Sequence, residues 1–245
     1  PVDAVVEAQT RTADRVLDRV GKMPFHPVID GDLLPAAPLA AARAGDLAPV
    51  PLVIGTNSDE MALFRDQVPS LPDTLIDLVL TPKLRAATGH EPSPDVVAAG
   101  RAAAGDDLAT AIADVDLHLP AALLADAHCR AGYDVWRYRF DWQGAEMGAA
   151  HAFDLPFTFG TLDVSTWRHT VGAQSNTAAD CLSRRVRSAW AAFAAGGRPA
   201  CDPVGTWPRH HPDDWAAAVL GTEITLVDDF DRSRLEAWLS ATDHS

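Results

Sequence analysis

Two side chains of types that move protons stand just beyond apolar, strand-like runs. Glu60 closes Val53-Ile54-Gly55-Thr56-Asn57-Ser58-Asp59-Glu60, and His151 ends the small-residue loop Gly148-Ala149-Ala150-His151, downstream of Tyr133 to Phe140. Functional groups in open α/β sheets collect at the carboxyl ends of strands, where loops converge on a crevice. A carboxylate and an imidazole placed there suit the acid and base of a serine-type triad. One ring nitrogen would face the acid and the other a nucleophile. No Gly-x-Ser-x-Gly occurs anywhere in the 245 residues. Ser58 does not replace it, because the strained strand-to-helix turn of a nucleophile elbow needs glycine on both sides of the serine.

Each residue also has a plainer reading. Asp59-Glu60 fits a cap on a short helix through Phe64, since acidic residues favour a helix N-terminus. A lone loop histidine is commonly a solvated or internally satisfied one. Seven others (His26, His90, His118, His128, His169, His210 and His211) have no carboxylate in a comparable strand-end setting, and His244 sits in the tail. Acid upstream of histidine is a weak signal by itself, and position alone leaves both readings open.

The elements that must hold these residues read as α/β. Residues 2 to 20 form a helix stopped by Gly21, and Phe25 to Asp32 is an extended piece ending in a turn. A small helix follows over Pro38 to Ala44. The continuous apolar run Val50 to Gly55 suits a strand buried on both faces. From about 70 to 132 the pattern is helical, broken at Pro82, Pro92, Pro94 and Pro120 into several short helices. Tyr133 to Phe140 alternates, with Trp136, Tyr138 and Phe140 on one face and Val135, Arg137 and Arg139 on the other, which argues for a strand. Thr177 to Ala195 is the longest helix, with a stripe of Leu182, Val186, Trp190 and Phe193 closed by Gly196-Gly197. A strand from Ile224 to Val227 and a helix from Arg232 to Ser240 finish the chain. Three strands are evident, so a largely parallel sheet with one open edge is expected.

Composition narrows the function classes. The chain is 47% apolar and 22% charged with seven tryptophans, the makeup of a domain with a sizeable core. Its formal net charge of −14 repels phosphates, which disfavours nucleic acid and anionic membranes as partners. No nucleotide-binding glycine motif, metal-ligand spacing or basic stripe with aromatics is present. Cys129, Cys181 and Cys201 form no C-x-x-C pair, and their odd number suits a reduced, cytoplasmic setting. Neither a signal peptide nor an uninterrupted apolar run of ~18 residues is visible.

Three stretches together resemble the type-B carboxylesterases, the family that includes cholinesterases and bacterial para-nitrobenzyl esterases. The first runs from Pro27-Val28-Ile29-Asp30-Gly31-Asp32-Leu33-Leu34-Pro35 to Val53 through Glu60. The second is Gly148-Ala149-Ala150-His151-Ala152-Phe153-Asp154-Leu155-Pro156-Phe157, with Phe159-Gly160 after it. The third is Trp190 to Pro199, followed by Trp207-Pro208. The blocks occur in the family's order and span most of the chain.

The resemblance implies an α/β-hydrolase fold, with residues 1–245 as the C-terminal half of one domain and about 70–132 as a helical insertion between triad acid and base. It implies Glu60 as the acid, His151 as the general base and Asp154 as a support behind them. Leu63 and Phe64 would line the substrate pocket. The implied partners are a small-molecule ester and the N-terminal half of the same esterase, which would bring the serine and the glycine-rich oxyanion loop. No nucleotide, metal or organic cofactor is implied. Met61 and Ala152 stand where the family commonly has glycine, adding bulk near the pocket. Rival expectations are a non-catalytic binding module on the same fold and an inactive fragment.

Overall fold

The structure, a computed structural model, describes residues 1–20, 27–68, 70–144, 146–172 and 177–239. The chain divides into two units, Pro1–Pro38 and Leu39–Ser245. The first unit carries helix α1 (Val2–Val20), on which Val2, Val5 and Val6 are exposed. The helix stop expected at Gly21 and the start of the extended piece at Phe25 lie outside the described residues. No strand forms over residues 27–32, but the turn is present. Asp30 Oδ1 accepts hydrogen bonds from the backbone N–H groups of Asp32 and Leu34, both at 3.0 Å, as a short carboxylate folds back on its own chain. Gly31 supplies the positive φ.

The second unit is built on a four-stranded sheet. After α2 (Pro38–Arg43), β1 (Leu52–Asn57) pairs in parallel with β2 (Val135–Phe140), from Leu52 opposite Val135 to Asn57 opposite Phe140. Two strands of a small hairpin, β3 (Ala200–Cys201) and β4 (Gly205–Thr206), stand apart from it. β2 pairs in parallel with β5 (Ala217–Leu220), and β5 antiparallel with β6 (Ile224–Val227), giving the order β1-β2-β5-β6. The sheet therefore has four strands where the sequence pattern shows three. β5 escapes because Ala217-Ala218 carry little strand preference. Their small side chains are what allow a fully covered inner strand.

Helices cover both faces, and the alternation of β2 decides what each face buries. Trp136 and Phe140 are 1% exposed and pack with Phe157, Leu182, Val186, Trp207 and Leu220. Helices α7 (Leu155–Phe159), α8 (Ser165–Thr170) and α9 (Thr177–Gly196) belong to that side. The opposite core holds Leu80, Leu84, Leu119, Leu123, Trp215, Leu235 and Trp238. It is formed largely by α3 (Asp73–Thr88), α4 (Pro94–Ala103), α5 (Leu108–Ala113), α6 (Leu119–Arg130) and α10 (Arg232–Glu236). Each fully buried side chain of this size contributes about 1.5–3 kcal/mol by leaving water. Arg137 and Arg139 point to this second side and are buried there, Arg137 over the Trp215 ring and Arg139 paired with Asp231.

The expected short helices between residues 70 and 132 are α3 to α6. Ser93 caps α4 by accepting from Val96 N–H, and Asp107 caps α5 by accepting from Thr110 N–H. Pro82 lies inside α3 without ending it. Between α5 and α6 the helix widens into a π-turn, Asp114–His118, where Leu119 N–H donates back to the Asp114 carbonyl. Pro120 gives the reason: in a regular α-helix its ring would meet the carbonyl of Asp116. The continuous helical run Leu108–Arg130 is long and apolar enough by length and composition to cross a membrane. It is not an uninterrupted apolar run, because Asp114, Asp116 and Asp126 break it. Its apolar residues serve the core, and more than half of it is buried within the unit.

Candidate active site

The loops that follow β1 and β2 are stitched together at the carboxyl edge of the sheet. Ser58 N–H donates to the Phe140 carbonyl, and Asp59 N–H to the Ala149 carbonyl at 3.1 Å. Asp59 Oδ2 accepts from Ala149 N–H at 3.0 Å in return. Gly148 makes that return bond possible. A Cβ there would lie 2.4 Å from Asp59 Oδ2, and its φ of +60° is left-handed. Ala149 and Ala150 are 0% exposed, so only small side chains fit at the seam.

This seam sets Glu60 against His151. Glu60 Oε2 lies 2.6 Å from His151 Nδ1, and Glu60 Oε1 accepts from Asn57 N–H at 2.7 Å. Both carboxylate oxygens are thus engaged. The acid is buried while the imidazole is half open, with side-chain exposures of 6% and 52%. A buried carboxylate holding Nδ1 orients the ring and stabilises its charged form, which leaves Nε2 to take a proton from a neighbouring hydroxyl. Helix capping is not what these acids do. The 3-10 turn Ala62–Gln67 has no side-chain cap, and its backbone link is Ala62 N–H to the Asp59 carbonyl.

The remaining expected residues fall around this pair. Phe64, 39% exposed, has its ring centroid 6.4 Å from that of His151. Leu63 is on the same turn and equally open. Asp154 does not touch the pair. Its Oδ1 accepts from Asn57 Nδ2 at 3.4 Å, so any support travels through Asn57. Ala152 adopts φ +67°, a conformation that explains why a glycine suits the position. Phe153 and Phe157, 1% and 0% exposed, pin the segment after His151 into the core.

Asn57 is the residue that sequence reasoning missed. It is 3% exposed, its backbone holds Glu60, and its side chain donates to the Ala150 carbonyl at 2.7 Å, one residue before His151. The available signal was an amide at the end of an apolar strand, since a buried side-chain amide must find partners. A second surprise is His210, whose Nε2 lies 2.6 Å from Asp126 Oδ1. Among the described residues no group of three or more His, Cys, Asp or Glu is placed to hold a metal ion.

With this geometry in view, the sequence profile of the carboxylesterase family matches residues 1–238. The chain belongs to that family. It is 31% identical over 234 residues to the para-nitrobenzyl esterase of Bacillus subtilis (strain 168), covering 90% of this chain and 44% of that protein. It is 25% identical over 215 residues to the acetylcholinesterase of Bungarus fasciatus, covering 77% of this chain and 34% of the other. A solved PNB esterase superposes with a TM-score of 0.77 at 27% identity, covering 94% of this chain and 47% of its own. The carboxylesterase of Geobacillus stearothermophilus gives 0.71 at 25% identity, with 91% and 46% covered. The fold is therefore that of the α/β-hydrolase esterases. The chain spans less than half the length of each of these relatives.

Proposed function

We propose that this chain is the proton-handling half of a serine carboxylesterase. His151 accepts the proton of a serine hydroxyl through Nε2 as that oxygen attacks an ester carbonyl, and returns it to the leaving alcohol. Glu60 keeps the ring oriented and stabilises the imidazolium. The acyl-enzyme then reacts with water by the same base. The serine and the oxyanion donors belong to upstream sequence of the same esterase, and Leu63 and Phe64 form one wall of the ester pocket. The observation that carries this reading is the 2.6 Å contact between a buried Glu60 and a half-exposed His151. Further support comes from the coverage of less than half of each relative. Among the described residues, β1 is also a sheet edge with β2 as its sole strand neighbour.

The purified 245-residue chain is expected to turn over no para-nitrophenyl ester and to take no fluorophosphonate label. Co-expression with its upstream coding sequence is expected to restore both, and His151→Ala then to abolish turnover. Labelling of this chain alone would overturn the placement of the serine elsewhere. A co-expressed pair that folds but stays inert would favour a binding module on the same fold.

A further inference from the structure

We infer that His118, in the π-turn on the opposite face of the sheet, is a positioning residue for the Glu60–His151 pair and acts through Thr56. The inference rests on the esterase reading above. His118 Nδ1 and Thr56 Oγ1 are hydrogen-bonded at 2.8 Å, and His118 is 2% exposed. Thr56 immediately precedes Asn57, whose N–H holds Glu60 and whose side chain holds the loop before His151. Side chains alternate along a strand, so Thr56 and Asn57 grip opposite faces of the sheet. β1 has a strand neighbour on one side alone among the described residues. The carboxyl end of β1 is consequently fixed by β2 laterally, by the His151 loop on one face and by His118 on the other.

The surroundings of His118 suit an uncharged strut. Burial, with the guanidinium groups of Arg139, Arg234 and Arg137 alongside, holds its pKa well below the usual histidine range. Arg137 and Arg139 come from β2 and Arg234 from α10. Asp231 pairs with Arg139, and Asp114 of the same π-turn pairs with Arg234. Both of these carboxylates are engaged by arginines, so the bond to Thr56 joins neutral groups. The π-turn sets which side chains of this helical run face β1, and such turns recur at functional sites.

The test follows the His151 ring nitrogen signals by NMR at one fixed pH in the 245-residue chain labelled with 15N-histidine. Glu60→Gln is expected to move the Nδ1 signal most, since the carboxylate that meets this nitrogen is gone. Thr56→Val and His118→Leu are each expected to move it in the same direction by a smaller amount, with no further change in the double variant. His118→Asn, whose amide can reach the place of Nδ1, restores it. His210→Leu, a buried histidine at the other end of β2, lowers the melting temperature and leaves His151 unmoved. If Glu60→Gln shifts His151 while Thr56→Val and His118→Leu do not, the positioning role is overturned and the pairing stands. If Glu60→Gln shifts nothing, the pairing itself fails, and the role of His118 with it.

Discussion

His151 and His210 each meet a carboxylate at 2.6 Å, yet water reaches opposite members of the two pairs. In the first the imidazole is open and the acid is sealed, 52% against 6%. In the second the imidazole side chain is fully covered and Asp126 is the more open partner, 0% against 18%. The backbone differs as well. His151 lies in a loop beyond the carboxyl end of β2, whereas His210 N–H donates to the carbonyl of Val135, where β2 begins. Burial pushes the His210 pKa down despite its carboxylate. A short His–carboxylate contact therefore does not by itself mark a working pair. An open imidazole backed by a sealed acid can exchange a proton with a ligand, and a sealed imidazole can act only through the groups it holds in place.

The comparison breaks most directly by removing one member of each pair. On the proposed reading, with the upstream half supplied, His151→Ala is expected to cut kcat by about 10⁴-fold or more, as losing a triad member does. The same change leaves Oε2 of the sealed Glu60 without its partner, so it is also expected to cost about 1–3 kcal/mol in urea unfolding. Asp126→Ala strands a sealed imidazole and should cost a similar amount, while kcat and the ring resonances of His151 stay in place. Equal losses of kcat in the two variants would mean that exposure does not separate their roles.

Acid sharpens the same contrast. The folded-state pKa of His210 lies below the usual 6.5, with burial as the leading cause. Above 6.5 both folded and unfolded chains hold the ring neutral, and its contribution to stability is complete. As pH falls below 6.5 the unfolded chain binds a proton that the folded chain refuses. Stability is then lost until the folded pKa is passed, at up to about 1.4 kcal/mol per pH unit. Urea midpoints of the wild type and His210→Gln between pH 7 and 5 measure this difference. The variant should show a shallower decline, and parallel curves would remove His210 as a source of acid sensitivity. His118 adds a loss of the same sign, so the slope of the variant is reduced rather than abolished.

How far the sequence could be read follows the same physics. Periodicity carries over where one pattern dominates. The alternation of Trp136, Tyr138 and Phe140 against Arg137 and Arg139 marks β2, and the stripe of Leu182 and Val186 marks α9. It fails at Ala217-Ala218-Val219-Leu220, because a covered inner strand and a stretch of helix look alike when the side chains are small. Glu60 and His151 could be singled out because strand ends and family wording point to them, and Phe64 because family wording alone does. Asn57, His118 and the Asp126–His210 pair could not. Their partners lie far away in sequence, at Ala150, at Thr56 and across the unit, and no local spacing encodes which buried polar groups will meet.

Backbone strain separates the two histidine regions in a smaller way. Ala152, directly after His151, sits at φ +67°, whereas the other non-glycine residues with positive φ among the described residues are aspartates, which tolerate that conformation better. None of them flanks His210. A Cβ in the left-handed region costs about 1–2 kcal/mol, and a glycine returns part of that gain through the greater freedom of the unfolded chain. Ala152→Gly is therefore expected to stabilise the chain by roughly 0.5–1 kcal/mol in urea unfolding. The glycine also has to keep the turn closed by Phe153 N–H on the Ala150 carbonyl and Leu155 N–H on the Ala152 carbonyl, so the His151 ring should keep its contact with Glu60. A less stable Ala152→Gly would mean that the loop holds this turn without strain, and that the alanine serves the His151 loop by restricting it.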